Sequence, residues 1–306
     1  MTPPRVASWP PERAMSSALQ AIVGPFVEFP FMRRALVATW ALSLGSAPIG
    51  CLLVLRRMSL VGDAMAHAVL PGAAAGFLLA GLSLPAMSLG GFIAALAVAL
   101  AAGFVTRHTP QREDASFAAF YLIALALGVL LVSLRGSQMD LMHMLFGSVL
   151  AVDDAALLQI AVVASITLWA LALLYRPLVL ESFDPGFLRS VGGPGAAVHM
   201  ALLVLLVANL VSAFQAMGTL MAVGLMMLPA TAARFWVAGL PAMAAVAVTI
   251  GAASGTLGLL LSYHAELPSG PCIVLVCGAA YVLSVLFGAR DGVLSRHLRK
   301  PVHLSR

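Results

Sequence analysis

From residue 35 to residue 288 the chain repeats one pattern, a run of about 20 apolar residues closed by charged or turn-forming residues. A hydrocarbon layer roughly 30 Å thick is crossed by about 20 helical residues, each rising about 1.5 Å. Inside that layer every backbone N–H and C=O must find its partner within the protein, and a helix does so within its own segment. The pattern therefore predicts an all-α integral membrane protein, a polytopic helical bundle with spans near 35–55, 61–80, 84–106, 115–134, 155–175, 194–214, 217–237, 241–261 and 268–288. That is about nine spans, within a range of eight to ten. The stretch 140–150, DLMHMLFGSVL, is apolar but only half a span long and reads as a re-entrant or interfacial helix. Were it to cross, every later orientation would invert. Composition agrees with lipid as the main solvent, since 61% of the 306 residues are hydrophobic and 9% are charged.

The net charge of +5 carries no nucleic-acid footprint, because Lys300 is the single lysine and the arginines sit between apolar blocks. Alternating the loops puts Arg56, Arg57, Arg107, Arg112, Arg176, Arg189, Arg234, Arg290, Arg296, Arg299, Lys300 and Arg306 on one side. Arg5, Arg13, Arg33, Arg34 and Arg135 fall on the other. Lys and Arg resist translocation, so the first side is expected to be cytoplasmic, with the C-terminus inside and the N-terminus outside. Arg33 and Arg34 run against that rule. Residues 1–30 form an N-terminal extension, expected to be disordered or to hold an amphipathic helix lying on the membrane over 14–31. It has no uninterrupted apolar core of the kind a cleaved secretory signal needs. One transmembrane domain is expected over 31–290, followed by a basic cytoplasmic tail over 291–306. Cys51, Cys272 and Cys277 fall inside apolar runs and read as buried thiols. The small-residue pairs Gly72/Gly76 and Gly251/Gly255 have the spacing at which helices pack closely, within one chain or between two.

Within the second span, Asp63 and His67 stand four apart and share one helical face. Ionisable groups in a span face a bundle interior or an aqueous path, where a carboxylate and an imidazole can be satisfied by a cation. Asp with His suits zinc or manganese, whereas magnesium or calcium calls for oxygen ligands. Pro71 adds to this, because a proline lacks the N–H that would bond the carbonyl four residues earlier, here that of His67. Spacing alone leaves a second reading open: Asp63 salt-bridged to Arg56 or Arg57, with His67 bonded to a neighbouring helix. His143, three residues after Asp140, is a candidate outer gate, against the plainer reading of a surface imidazole. His199, and His264 with Glu266, stand isolated, and His108, His297 and His303 lie in basic segments.

Between the fifth and sixth spans, the segment 181–193, ESFDPGFLRSVGG, carries its own stop and start signals. Asp184 is placed to cap a helix beginning at Pro185, and Gly192 and Gly193 to end it after about two turns. Phe183, Phe187 and Leu188 would project beside Arg189. Such a knobbed helix suits either a partner's cleft or the lipid headgroups. The chain itself has no phosphate-binding glycine loop followed by lysine, and no H-E-x-x-H metalloprotease pattern.

At these residues the sequence resembles the permease subunit of the zinc and manganese family of ABC importers. The blocks that carry the resemblance are LRRMSLVGDAMAHAVLPG at 55–72, DLMHMLFGSVLAV at 140–152, FDPGFLRSVG at 183–192, MGTLMAVGLMMLPATAAR at 217–234 and LPSGPCIVL at 267–275. The resemblance implies a type II importer-like permease fold in a bacterial cytoplasmic (inner) membrane. It also implies a homodimer about a two-fold axis, two cytoplasmic ATP-binding subunits and an extracytoplasmic metal-binding protein. ATP is then held by partner subunits and this chain carries no cofactor of its own. Carried over, Asp63 and His67 line the translocation path, and the segment 183–192, with Phe183, Asp184, Pro185, Phe187, Leu188 and Arg189, couples to the ATPase. Two Asp and two His from paired chains would supply four ligands, a number that suits zinc. The DLM and PSGP wording leans the same way, with manganese next. A stand-alone secondary metal or proton-coupled transporter is the competing reading, and an intramembrane metalloenzyme a more distant one.

Overall fold

A computed structural model describes residues 17–58, 60–81, 83–134, 149–290 and 292–298, and among them every regular element is helical. The elements are α1 (Ser17–Glu28), α2 (Pro30–Leu55), α3 (Val61–Ala80), α4 (Leu84–His108), α5 (Glu113–Leu134) and a 3-10 turn (Val149–Ala151). Then come α6 (Asp154–Leu173), α7 (Tyr175–Phe183), α8 (Pro185–Ser190), α9 (Gly195–Met217), α10 (Thr219–Ala233), α11 (Leu240–Ala265), α12 (Ser269–Phe287) and α13 (Val293–Leu298). Among the described residues, eight helices are long and apolar enough to cross a membrane. They are α2, α3, α4, α5, α6, α9, α11 and α12, and they match eight of the nine predicted spans.

The ninth, predicted over 217–237, is shorter. Gly218, at φ 85°, breaks the chain between α9 and α10, and α10 runs only 15 residues. At about 1.5 Å per residue it falls short of a 30 Å layer. Its surroundings make up for that length, since it packs on α2, α9, α11 and α12 and buries most of its residues, from Thr219 to Ala233. Hydropathy cannot distinguish a central short helix from a span, because both are uniformly apolar.

Contacts between helix ends sort the bundle into two faces. The guanidinium of Arg34, near the start of α2, lies 2.9 Å from the carboxylate of Asp154 at the start of α6, and the Phe29 ring packs at a tilt against Tyr263 near the end of α11. The starts of α2 and α6 and the end of α11 therefore share one face. At the other face Arg56, just past α2, bonds to Ser182 of α7 and His199 of α9, and α10 and α12 also finish there, tied by Trp236 to Ser284. The segment 140–148, on which the predicted re-entrant helix falls, lies outside the described residues. The charge of Arg34 is matched by Asp154; both side chains are exposed, so the pair contributes about 0–1 kcal/mol.

Close packing rests on small residues. Gly72 and Gly76 of α3 abut the backbone of Gly90 and Ala86 on α4. Gly251 and Gly255 of α11 face Ser43 and Thr39 of α2, whose hydroxyls donate back to carbonyls of their own helix at 2.8 Å and so leave no unpaired polar atom at the seam. Both glycine pairs serve contacts within the chain. Asn209 of α9, 2% exposed, donates to Thr167 of α6 at 2.7 Å and ties the core to a peripheral helix. A Cβ at position 72 meets the Gly90 carbonyl directly. Gly72→Val is accordingly expected to part α3 from α4 at a loss of about 1–3 kcal/mol, read as a lower unfolding temperature in detergent.

Candidate functional site

The corner that leads into α3 is fixed by backbone geometry. The Met58 amide donates to the Leu53 carbonyl at 2.9 Å and the Arg57 amide to the Val54 carbonyl at 3.2 Å, the two bonds of a Schellman cap. Arg57 takes the left-handed position where glycine is usual, at φ 59°, and Met58 is buried beneath it. Asp63 then falls in the first turn of α3, where a carboxylate complements the positive end of the helix dipole.

Around Asp63 and His67, the residues Gly62, Ala64, Met65, Ala66, Ala68 and Val69 are buried. The Asp63 side chain is 58% exposed and that of His67 29%. With half-buried Leu70 they form an outward strip at i, i+4 and i+7. Asp63 Oδ1 lies 3.7 Å from His67 Nε2, beyond hydrogen-bond range. A metal bonded to both atoms at about 2.0–2.2 Å and near-tetrahedral angles would hold them about 3.4 Å apart, so a small adjustment seats a cation between them. The His67 ring stacks on Tyr121 of α5, with centroids 6.0 Å apart and planes 27° from parallel. This leaves Nδ1 buried without a hydrogen-bond partner and turns Nε2 towards Asp63. Beside the carbonyl that Pro71 leaves free, α5 presents Gly128, where a Cβ would stand 3.1 Å from the proline Cα.

Among the described residues the ion pairs found do not join Asp63 to Arg56 or Arg57. Arg56 Nε donates to Ser182 Oγ at 3.0 Å, and Arg56 Nη1 lies 2.9 Å from His199 Nδ1. A guanidinium only donates, so Nδ1 is the acceptor there. His199, isolated in the sequence, is thus a buried bonding partner, 8% exposed. Elsewhere His108 bonds the Phe104 carbonyl of its own helix, and His264 packs edge-on against Tyr263 beside Glu266. His143 and Asp140 lie outside the described residues. Among the described residues no three His, Cys, Asp or Glu side chains come together, so Asp63 and His67 stand as a pair without a third such neighbour.

The second feature is α8. Its start is as expected from the sequence: the Phe187 amide donates to Asp184 Oδ1 at 2.8 Å and Pro185 takes the first turn. Gly192 at φ 72° and a 2.8 Å bond from the Gly193 amide to the Leu188 carbonyl end it. Phe183 and Phe187 are 66% and 50% exposed. Leu188, expected to project with them, is buried at 4% and anchors the helix instead. Behind α8 an open cleft of about 480 Å³ is lined by Glu181, Arg189 and His199 among others.

Tyr121 and the Arg56–Ser182–His199 cluster have no local sequence signature. Their partners lie from 54 to 143 residues away along the chain.

The model of the ABC 3 transport family matches residues 28–288. The manganese transport system membrane protein MntC of Halalkalibacterium halodurans is 33% identical over 274 residues, 89% of this chain and 92% of that protein. The chelated iron transport system membrane protein YfeD of Yersinia pestis is 31% identical over 273 residues, 89% of this chain and 90% of its own length. In solved structures, the fold is similar to a chain of PsaBC from Streptococcus pneumoniae in complex with Fab. The TM-score is 0.79 at 30% identity, covering 90% of this chain and 98% of that one.

Proposed function

The chain belongs to the ABC 3 transport family, and we propose that it is the membrane-spanning permease subunit of an ATP-driven importer for a divalent transition metal ion. The observation that carries this reading is the outward strip of α3, where Asp63 and His67 stand at a metal-spanning separation without a third ligand. An Asp and a His facing lipid would be strongly unfavourable. A second copy of the chain across a two-fold axis covers the strip and completes a set of two carboxylates and two imidazoles.

The docking helix α8 then meets a cytoplasmic ATP-binding subunit, one for each permease of the pair, and ATP is hydrolysed on that partner. The face bearing Arg56, Arg57, Arg189 and Arg234 is cytoplasmic, as is the C-terminus, by the positive-inside rule in a bacterial cytoplasmic membrane. An extracytoplasmic metal-binding protein delivers the ion to the opposite face. As cargo, manganese stands first. Asp with His suits it, and the relatives described above are named for manganese and chelated iron. Zinc, placed ahead by the sequence blocks, is chemically compatible but has no such support.

Proteoliposomes holding the permease with its ATP-binding subunit should accumulate manganese only when ATP is present, and competition by zinc and iron(II) would rank the metals. Accumulation driven by a proton gradient without the ATP-binding subunit would instead make the chain a secondary transporter.

A further inference from the structure

We infer that Arg56 is a positioning residue that transmits movement of the docking helix to the metal-binding turn of α3. This inference rests on the importer reading above. A single guanidinium holds both limbs of the docking segment: Ser182 lies two residues before the cap Asp184 on the way in, and His199 lies in α9 on the way out. The planar fork of arginine makes both bonds from one fixed geometry, which a lysine ammonium does not reproduce.

The other end of the link is held by backbone hydrogen bonds. Arg56 is itself the cap residue of α2, followed by the left-handed Arg57 and the buried Met58. Met58 in turn accepts a backbone bond from Val61, the first residue of α3. Asp63 is seven residues from Arg56. A shift of α7 and α9 driven by the ATP-binding subunit therefore pulls on the corner that orients Asp63, a corner tied to α2 and α3 by the backbone bonds of Arg57, Met58 and Val61. The docking helix does not need Arg56 to form, because Asp184 caps it, Leu188 anchors it and Gly193 closes it.

The test uses the assembled permease and ATP-binding subunit in proteoliposomes, comparing wild type with Arg56→Ala, Arg56→Lys and the double variant Ser182→Ala, His199→Leu. Three quantities are read: co-purification of the ATP-binding subunit, ATP hydrolysis, and manganese accumulated per ATP. Co-purification and hydrolysis should persist in all three variants. Manganese per ATP should fall by about two- to thirtyfold in Arg56→Ala and in the double variant, the range for residues that carry coupling between sites. Arg56→Lys should fail to restore it. If Arg56→Ala does not assemble, the double variant decides alone. Unchanged manganese per ATP would overturn the inference, and so would loss of assembly in both variants, which would make the contact purely structural. Absence of ATP-dependent uptake by wild type would overturn the importer reading itself.

Discussion

The double variant Asp63→Ala, His67→Ala is expected to lower ATP-dependent metal uptake by at least about 100-fold while leaving the permease assembled and the ATP-binding subunit docked. Each contact to a charged group contributes about 1.5–3 kcal/mol, and a two-fold pair of chains loses four of them. A tenfold change corresponds to about 1.4 kcal/mol, so even half of that loss exceeds 100-fold. Assembly should survive because neither side chain holds the bundle together. Asp63 and His67 lie 3.7 Å apart on the outward strip, and the helix is packed by the small residues on its other faces. Asp63→Asn and His67→Gln separate charge and ligation from shape. The first removes the carboxylate charge at nearly constant volume and should lower uptake almost as far as alanine. Metal binding by calorimetry on the detergent-solubilised permease would be weakened in parallel. Normal uptake by the double variant would remove the metal path from α3 altogether.

The helical bundle was legible in the sequence because lipid imposes a length and an apolar character on each span that few other folds share. The limit came at α10, because hydropathy does not report that a helix inside an apolar run will be only 15 residues long and enclosed by its neighbours. The short helix α8 was legible almost residue by residue, since capping by Asp184, the first-turn Pro185 and the Gly192 stop are local chemistry. The inward turn of Leu188 was not, because only the neighbouring helices decide which side of a six-residue helix is covered. Spacing placed Asp63 and His67 on one face but left open whether Arg56 would neutralise the acid. In the fold Ser182 and His199 engage the Arg56 guanidinium from 126 and 143 residues away, a separation no local pattern records. The same holds for Tyr121, whose ring turns His67 from a solitary imidazole into an oriented one.

The double variant Phe183→Ala, Phe187→Ala is expected to release the ATP-binding subunit. Burying a phenylalanine side chain contributes about 1.5–3 kcal/mol when it is wholly exposed beforehand. With 66% and 50% of each residue open, the pair offers roughly 2–4 kcal/mol to a partner's cleft. At about 1.4 kcal/mol per decade, that is a loss of roughly 30- to 700-fold in affinity at each docking site. Two sites act together in a paired permease, so co-purification should fail more sharply than single-site binding. Leu188→Ala provides the contrast. Being buried, Leu188 supports the helix from within, and its truncation should loosen α8 and lower thermal stability more than it removes contact area from the partner. Metal binding at Asp63 and His67 should be unchanged in the phenylalanine variant, since among the described residues the side-chain hydrogen bonds that link the docking segment to the corner before α3 run through Arg56. Retained ATP-binding-subunit docking by Phe183→Ala, Phe187→Ala would instead assign the two rings to the lipid headgroups, the environment in which an exposed aromatic pair beside an arginine is also stable.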